Sequence, residues 1–332
     1  MKIGLIDVDA TSLKKHKYPN LALMKLAAWH KAQGDIVEWW WGFDVYDRVY
    51  MSRVFDDTYV KDIPEPVNAK EIFKGGTGYV LRDREGVLRF NKNGVWVEAT
   101  PELMQNGDTT YTELLPYEVE HIYPDYSLYP QFTENTAYGF LTRGCPKACH
   151  FCIVAGKEGR RSIKVADLSE WRDKQKNIVL MDPNILACRE HMNLLAQLID
   201  SGARVDINQG MDCRLLTEKN IEVINQIKIK DIHFAWDYMK EEKAVLRGLE
   251  MYRNMATRKP HGSWATVYTL TNYDTTMEEN LYRIYMLIGM GYAPYVMVFD
   301  KPNAPKEIRR LQRWCNNYRI RKTCPRFEDY IG

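Results

Sequence analysis

The strongest signal in the sequence is the run Tyr138-Gly-Phe-Leu-Thr-Arg-Gly-Cys-Pro-Lys-Ala-Cys-His-Phe-Cys-Ile-Val154. It places three soft thiol ligands within eight residues, so the short loop keeps them near a single centre. Zinc sites and ordinary ferredoxin clusters use four protein ligands, whereas this loop supplies three. An iron–sulfur cubane bound here would keep one iron open to a cofactor or substrate. The three predicted ligands are Cys145, Cys149 and Cys152.

The spacing Cys-x3-Cys-x2-Cys, with Phe151 directly before the third cysteine, resembles the cysteine loop of the radical SAM superfamily. In that family the cysteines hold a 4Fe-4S cluster whose open iron chelates the amino and carboxylate groups of S-adenosylmethionine. Reductive cleavage of the sulfonium then yields a 5'-deoxyadenosyl radical that abstracts hydrogen from a substrate. The resemblance implies an oxygen-sensitive enzyme that receives electrons from a donor such as flavodoxin or ferredoxin. Its substrate is unknown, and no residue is assigned to the chemical step.

Other uses of the cysteines stay open. One alternative is a structural zinc site completed by His150 or a distant cysteine, although adjacency to Cys149 makes His150 a poor ligand. A disulfide framework is less favoured, because an odd total of seven cysteines fits a reducing compartment. The remaining cysteines lack the tight spacing of an auxiliary cluster, and we interpret them as small buried hydrophobes. They are Cys188, Cys213, Cys315 and Cys324.

Length and composition indicate a globular protein. The 332 residues have room for one large or two modest domains with buried cores. A hydrophobic content of 45%, without an apolar run near about 18 residues, predicts that no segment spans a membrane. The first residues, Met1 to Asp7, carry acid within their apolar run and predict a strand, not a signal peptide. We therefore expect a cytoplasmic protein.

The formal charge of +2 gives no global electrostatic signal for nucleic acid. The C-terminal segment, 306–332, is locally basic, with Trp314 and Tyr318 interleaved among arginines that could bind phosphates. We favour instead a helix with a solvated basic face whose aromatic residues pack inward. A nucleic-acid-binding module stabilised by a metal is the alternative from a different function class.

The first 80 residues are predicted to form a small Rossmann-like α/β domain. A strand over Lys2–Val8, a helix over Pro19–Gln33 and a strand over Ile36–Trp41 give a parallel unit with a right-handed crossover, and Asp47–Val54 is a third strand. The glycines of Lys74-Gly-Gly-Thr-Gly78 are expected to let the backbone approach another segment or a ligand.

This domain resembles the N-terminal domain of the cobalamin-binding branch of radical SAM proteins, through Pro19-Asn-Leu-Ala-Leu-Met-Lys-Leu-Ala-Ala28 and Gly75-Gly76. It lacks the Asp-x-His-x-x-Gly motif that supplies an axial ligand in many cobalamin proteins. A cobalamin-dependent radical methyltransferase is therefore an alternative, but bound cobalamin is not favoured over a degenerate lid or scaffold domain. Residues 81–136 are predicted to form a hairpin and a linker.

Residues 137–305 are predicted to form the catalytic domain, in which strands alternate with helix-sized connections. That alternation favours a parallel sheet curled into a partial barrel. The radical SAM fold is such a partial (β/α)6 TIM-like barrel, so the resemblance extends over most of this region. The predicted strands are Tyr138–Leu141, Asn177–Met181, Arg204–Asn208, Asp231–Trp236, Trp264–Leu270 and Tyr295–Asp300, and the predicted helices are Cys188–Ser201, Glu218–Ile227, Glu241–Met255 and Met277–Met290.

Polar residues at the carboxyl ends of parallel barrel strands face the site. The resemblance places Asp182 and Asn184 where the family contacts the methionyl amine. We assign Arg214 to the methionyl carboxylate, because a guanidinium can clamp a carboxylate bidentately. Asp237 stands at a ribose-binding position, with capping of the next helix as an equal alternative, and His233 is interpreted as a core histidine. The predicted cofactor-binding set is Phe151, Asp182, Asn184, Gln209, Arg214, Asp237 and Thr271.

Overall fold

The computed structural model describes residues 1–12 and 18–332, which divide into two compact units. The first unit comprises residues 1–138, 147–160 and 169–175, and the second comprises residues 139–146, 161–168 and 176–332. Each unit contains a sheet with parallel strands, so the chain is a mixed α/β protein. None of the helices in the described ranges is both long and apolar enough to cross a bilayer.

The first unit is built on a six-stranded sheet and a smaller three-stranded sheet. Its strands are β1 (Lys2–Asp7), β2 (Ile36–Trp39), β3 (Tyr46–Ser52), β4 (Ala69–Gly75), β5 (Val80–Arg82), β6 (Leu88–Lys92), β7 (Val95–Glu98), β8 (Gln105–Asn106) and β9 (Thr109–Thr112). Its helices are α1 (Val8–Ser12), α2 (Leu21–Ala32), α3 (Pro101–Met104), α4 (Tyr117–Glu120), α5 (Pro130–Thr133) and α6 (Val154–Lys157).

The main sheet of the first unit has the order β2-β1-β3-β4-β9-β8. Its strands are parallel except for β8, which pairs antiparallel with β9. The predicted strand–helix–strand opening is confirmed, with Asn20 capping α2 by accepting from the amide of Leu23. The structure differs from the hairpin and linker predicted for residues 81–136, because β9 extends the sheet beside β4. The sequence of β9 is Thr-Thr-Tyr-Thr, which has no run of apolar residues that would predict a strand.

The glycines after β4 allow the close backbone approach that the sequence predicted. Gly76 has a positive φ of 99°, and a Cβ added there would lie 2.4 Å from the carbonyl oxygen of Arg53. The amide of Gly78 donates to the same carbonyl at 2.9 Å. Any larger side chain at Gly76 would therefore separate these two segments.

The second unit contains a sheet whose strands follow one another in chain order. The remaining strands are β10 (Thr136–Gly139, ending in this unit), β11 (Thr142–Arg143), β12 (Ile163–Lys164), β13 (Asn177–Leu180), β14 (Arg204–Ile207), β15 (Lys228–Ala235), β16 (Ala265–Thr271) and β17 (Ala293–Val298). The remaining helices are α7 (His191–Asp200), α8 (Glu218–Ile224), α9 (Glu242–Met255), α10 (Met277–Gly289), α11 (Lys306–Asn316) and α12 (Tyr318–Thr323).

Pairing from β13 to β17 is parallel throughout, which confirms the predicted parallel sheet. Gly139, at the end of β10, accepts a hydrogen bond from the amide of Met181 at 3.0 Å. In the described chain, β10 and β17 are the two edges of this sheet, so it is open. The carboxyl ends of all five parallel strands lie along the same side of the sheet, which we call its carboxyl edge. The polar residues that follow these strands are therefore brought to that side.

The C-terminal helices pack on the last strand. Trp314 and Leu311 of α11 are fully buried with Val296 of β17, which confirms the predicted inward packing of Trp314. A buried Trp314 cannot stack on a base, whereas Tyr318 is exposed. Thr276 caps α10 in a capping box with Glu279.

Candidate functional site

The three cysteines of the loop are all half-buried, with Cys145 in the second unit and Cys149 and Cys152 in the first. In the first unit, the amide of Cys152 donates to the carbonyl of Cys149 at 3.0 Å, which closes a tight turn. His150 accepts from the guanidinium of Arg84, with 2.9 Å between Nη2 and Nδ1. This contact occupies Nδ1 and weakens the zinc alternative in which His150 is a ligand.

Among residues 1–12 and 18–332, no group of three or more His, Cys, Asp and Glu side chains is arranged to hold a metal ion. The donor chemistry of the loop still fits an iron–sulfur cluster, because three thiols within eight residues supply the soft ligands that such clusters use.

Asp182 fixes the start of the cysteine loop. Its carboxylate accepts from the amide of Leu141 (2.8 Å), the amide of Thr142 (2.7 Å) and the hydroxyl of Thr142 (2.6 Å). Burial raises the pKa of Asp182 to about 7, and these hydrogen bonds offset part of the rise. Both oxygens are used within the protein, so the carboxylate positions the loop, and its predicted contact with a methionyl amine stays a prediction.

Asn184 connects the carboxyl edge of the sheet to the first cysteine. Its amide nitrogen lies 3.6 Å from Sγ of Cys145 and 3.4 Å from Oδ2 of Asp212. Burial raises the pKa of the Cys145 thiol, and the hydrogen bond from Asn184 lowers it in part. The amide oxygen of Asn184 is buried without a hydrogen-bond partner in the described part of the chain. An orphan acceptor of this kind is expected where a ligand donates.

Arg214 is held by two carboxylates. Its Nε and Nη2 donate to the two oxygens of Asp212 at 2.7 and 2.6 Å, and Nη1 lies 2.7 Å from Glu241. The fork predicted to clamp a methionyl carboxylate is therefore engaged within the protein. Gly248 of α9 allows this arrangement, because a Cβ there would lie 2.0 Å from the carbonyl oxygen of Cys213, directly before Arg214.

The other predicted residues have different surroundings. Burial raises the pKa of Asp237 to about 6, and Arg283 offsets part of the rise. The N-cap residue of α9 is Glu241, which makes no side-chain capping bond, so Asp237 does not cap that helix. Thr271 is buried and donates to the carbonyl of Met297 at 3.3 Å. Gln209 is exposed, and Phe151 is half-buried in the first unit.

Sequence reasoning missed Arg283, which is fully buried on α10. Its guanidinium donates to the carbonyls of Trp236 (2.6 Å) and Leu270 (2.7 Å), so it ties the ends of β15 and β16 together. An arginine on an amphipathic helix normally predicts a solvent-facing position. The signal that could have found it is Asn280, one turn earlier, whose amide oxygen accepts from Arg283 at 2.6 Å.

The first unit contains a separate cavity of about 800 Å³ beside the carboxyl ends of β3 and β4. Lys74 is buried there, with its ammonium 2.8 Å from Asp62 and 3.3 Å from Glu65. No described histidine lines the cavity, so it offers no imidazole as an axial ligand for cobalamin. Bound cobalamin stays a prediction that is not favoured. The other charged and aromatic residues that line the cavity include Arg53, Asp57, Tyr79, Phe90 and Tyr111.

Comparison with known proteins adds no family assignment. The chain matches no protein-family model, and a search of curated proteins also gives no match. Its chemistry is therefore argued from the cysteine motif and the contacts around Cys145.

Proposed function

We propose that the chain is a radical SAM enzyme that binds a 4Fe-4S cluster through Cys145, Cys149 and Cys152. The observation that supports this most is the position of Asn184, with its amide nitrogen 3.6 Å from the sulfur of Cys145 and its buried amide oxygen without a partner in the described chain. A thiol ligand and an unsatisfied acceptor thus lie together at the carboxyl edge of parallel strands, where α/β proteins bind ligands.

Asn184 has two roles in this proposal. Its amide oxygen accepts a hydrogen bond from the ammonium of the methionyl group, which satisfies the orphan acceptor. Its amide nitrogen donates toward the sulfur of Cys145, and such hydrogen bonds tune the reduction potential of a cluster. Asp182 supports both contacts by fixing the backbone at Leu141 and Thr142.

Arg214 binds the methionyl carboxylate after exchanging one of its present partners. Asp212 holds the Nε/Nη2 edge with two short contacts, whereas Glu241 reaches only Nη1. We place the ligand carboxylate at Nη1, where it replaces Glu241 with a group of the same charge. The guanidinium keeps its orientation, because Asp212 remains bound.

When bound, the cluster supplies the electron and the open coordination position that cleavage of the sulfonium requires. The chain contributes the orientation of the cofactor and a support for the loop. The open sheet of parallel strands in chain order supports the partial-barrel fold that the cysteine motif implies. A donor such as flavodoxin or ferredoxin would supply the electron.

Anaerobic reconstitution with iron and sulfide tests the proposal. We expect about four iron and four sulfide per chain, a reduced-cluster signal in electron paramagnetic resonance, and 5'-deoxyadenosine when S-adenosylmethionine and dithionite are added. Alanine at Cys145, Cys149 or Cys152 should abolish both the signal and the product. Cys324→Ala is the matched control, because Cys324 is also half-buried but lies outside the loop. Stoichiometric zinc without iron would exclude this function.

A further inference from the structure

Four side chains form a continuous row across four neighbouring strands of the second sheet. They are Asp206 (β14), His233 (β15), Tyr268 (β16) and Tyr295 (β17), and we call them the cross-strand row. Nδ1 of His233 lies 3.7 Å from Oδ1 of Asp206. The rings of His233 and Tyr268 stack at 5.2 Å and 12°, and Tyr268 meets Tyr295 edge-on at 5.8 Å. His233 is half-buried in this row, so its interpretation as a core histidine stays a prediction.

A β-bulge places the acid and the imidazole on one face of the sheet. Val205 pairs with Ile229, but Asp206 pairs with Asp231, so Lys230 is an extra residue in β15. Successive strand residues face opposite sides, so a regular register would have turned His233 away from Asp206. Bulges that redirect side chains are common beside functional sites.

The two polar members of the row present acceptors. Nδ1 of His233 lies 2.8 Å from the carbonyl oxygen of Ile207. A carbonyl can only accept, so the neutral ring carries its proton on Nδ1 and a lone pair on Nε2. Oδ1 of Asp206 is buried and has no hydrogen-bond partner among the described residues. Burial also raises the pKa of Asp206, with His233 and Lys230 opposing the rise and Asp231 adding to it.

The far end of the row is aromatic and open. Tyr295 is 42% exposed, and Met297, two residues further along the same strand, is 45% exposed. Aromatic faces attract cations, and a carboxylate oxygen buried without a donor gains most from a cationic donor. A guanidinium suits both features better than an ammonium, because it is planar, stacks on rings and donates from several N–H groups in one plane.

We propose that the cross-strand row binds a guanidinium group of the substrate. Asp206 and Nε2 of His233 are its acceptors, and the tyrosines of the row, Tyr268 beside His233 and Tyr295 at the open end, form the aromatic surface next to it. The description of this ligand as a substrate rests on the proposed radical SAM function, whereas its binding does not. The guanidinium could belong to a small molecule or to an arginine side chain in a peptide, and the two sources share the same chemistry.

Calorimetric titration of the full-length chain, with and without reconstituted cluster, tests this inference. The probes are agmatine, the capped tripeptide acetyl-Gly-Arg-Gly-amide, and the same peptide with citrulline, which keeps the planar shape but not the charge. We expect at least one arginine-type probe to bind about tenfold or more tightly than the citrulline peptide, a difference of about 1.4 kcal/mol. The stronger of agmatine and the peptide identifies the source. Equal affinity for citrulline, or no binding of either cationic probe, would overturn the inference.

Two pairs of variants locate the site. Asp206→Asn should weaken binding about tenfold, whereas Asp231→Asn, which removes the same charge from the neighbouring strand, should change it less than about threefold. His233→Gln keeps an acceptor near the Nε2 position and should bind better than His233→Asn, which keeps only the inner position. Circular dichroism checks folding. Equal losses in both Asp variants would assign binding to general electrostatics and reject the site. If the chain binds guanidinium but does not incorporate iron, the proposed radical SAM function is rejected, whereas the guanidinium site is not.

Discussion

The carboxyl edge of the second sheet and the cross-strand row on its face use similar residue types in opposite ways. At the edge, the carboxylates of Asp182 and Asp212 accept from backbone amides, a hydroxyl or a guanidinium within the protein. In the row, Oδ1 of Asp206 is buried without a partner among the described residues. The edge network therefore stabilises the fold, whereas the row carries an unsatisfied group that a ligand can satisfy.

Asn184 stands between these two cases. Its nitrogen belongs to the satisfied network, because it donates toward Cys145 and Asp212. Its oxygen resembles Asp206, since it is buried without a partner in the described chain. The difference between satisfied and unsatisfied groups thus separates residues that hold the site from residues that we expect to contact ligands.

The largest effect should come from removing the acceptor at Asp182. Asp182→Ala leaves two amides and one hydroxyl without their partner in a buried position, so we expect a loss of at least about 3 kcal/mol in the free energy of unfolding. Urea denaturation measures it. Thr142→Val removes only one of the three donors and should cost about 1 kcal/mol. A loss below about 1 kcal/mol in Asp182→Ala would show that the edge network does not stabilise the fold.

The second prediction concerns the pH dependence of the same carboxyl group. Its pKa is about 7 in the folded chain and 3.8 ordinarily, so the folded state binds this proton more tightly. The resulting stability is complete below about pH 4 and is lost as the pH rises through about 7. Between about pH 5 and pH 8, the wild type should lose roughly 2 to 3 kcal/mol relative to Asp182→Asn, which does not titrate there.

Urea denaturation at several pH values measures this difference, and comparison of the two chains cancels titration elsewhere. Parallel stability curves for the wild type and Asp182→Asn would mean that the carboxyl group keeps an ordinary pKa in the fold.

The sequence predicted the strands of the second sheet well, because their apolar runs alternate with amphipathic helices. The strand predicted at Arg204–Asn208 is observed at Arg204–Ile207, and the helix predicted at Glu241–Met255 is observed at Glu242–Met255. Strand β9 was missed, because pairing with β4 stabilises a segment that has no apolar periodicity.

The candidate sites also divide into those that a local sequence pattern predicts and those that depend on strand pairing. Spacing along the chain predicted the cysteine loop, and the end of β13 together with the family resemblance predicted Asp182 and Asn184 as cofactor contacts. The contact between Asp206 and His233 depends on a one-residue bulge at Lys230, and no local pattern indicates which residue of a strand will be the extra one. A contact between residues on neighbouring strands, far apart in the chain, can therefore be recognised only when the register of the sheet is known.

A third prediction tests the close packing of α9 against the turn that carries Arg214. Gly248→Ala places a Cβ against the carbonyl oxygen of Cys213 and should cost about 1 to 3 kcal/mol by forcing the helix and the turn apart. The matched control is Gly289→Ala in α10, where no atom lies within 4 Å of the added Cβ. That change should be neutral or stabilise by up to about 1 kcal/mol, because alanine is the better helix former. Thermal or urea unfolding distinguishes them, and equal effects would place Gly248 outside the packing argument.

The smallest expected effect has the opposite sign and addresses the row. Asp206→Asn removes a carboxylate whose Oδ1 is buried without a donor in the described chain, so the variant should be as stable as the wild type or more stable by up to about 1 kcal/mol. Asp231→Asn, a half-exposed position next to Lys230, should stay within about 0.5 kcal/mol. A gain of stability together with weaker guanidinium binding would show that the carboxylate is retained for its ligand at the expense of the fold. A loss above about 1 kcal/mol would instead place Asp206 with Asp182 among the residues that hold the sheet, and the contrast between the edge and the row would no longer hold.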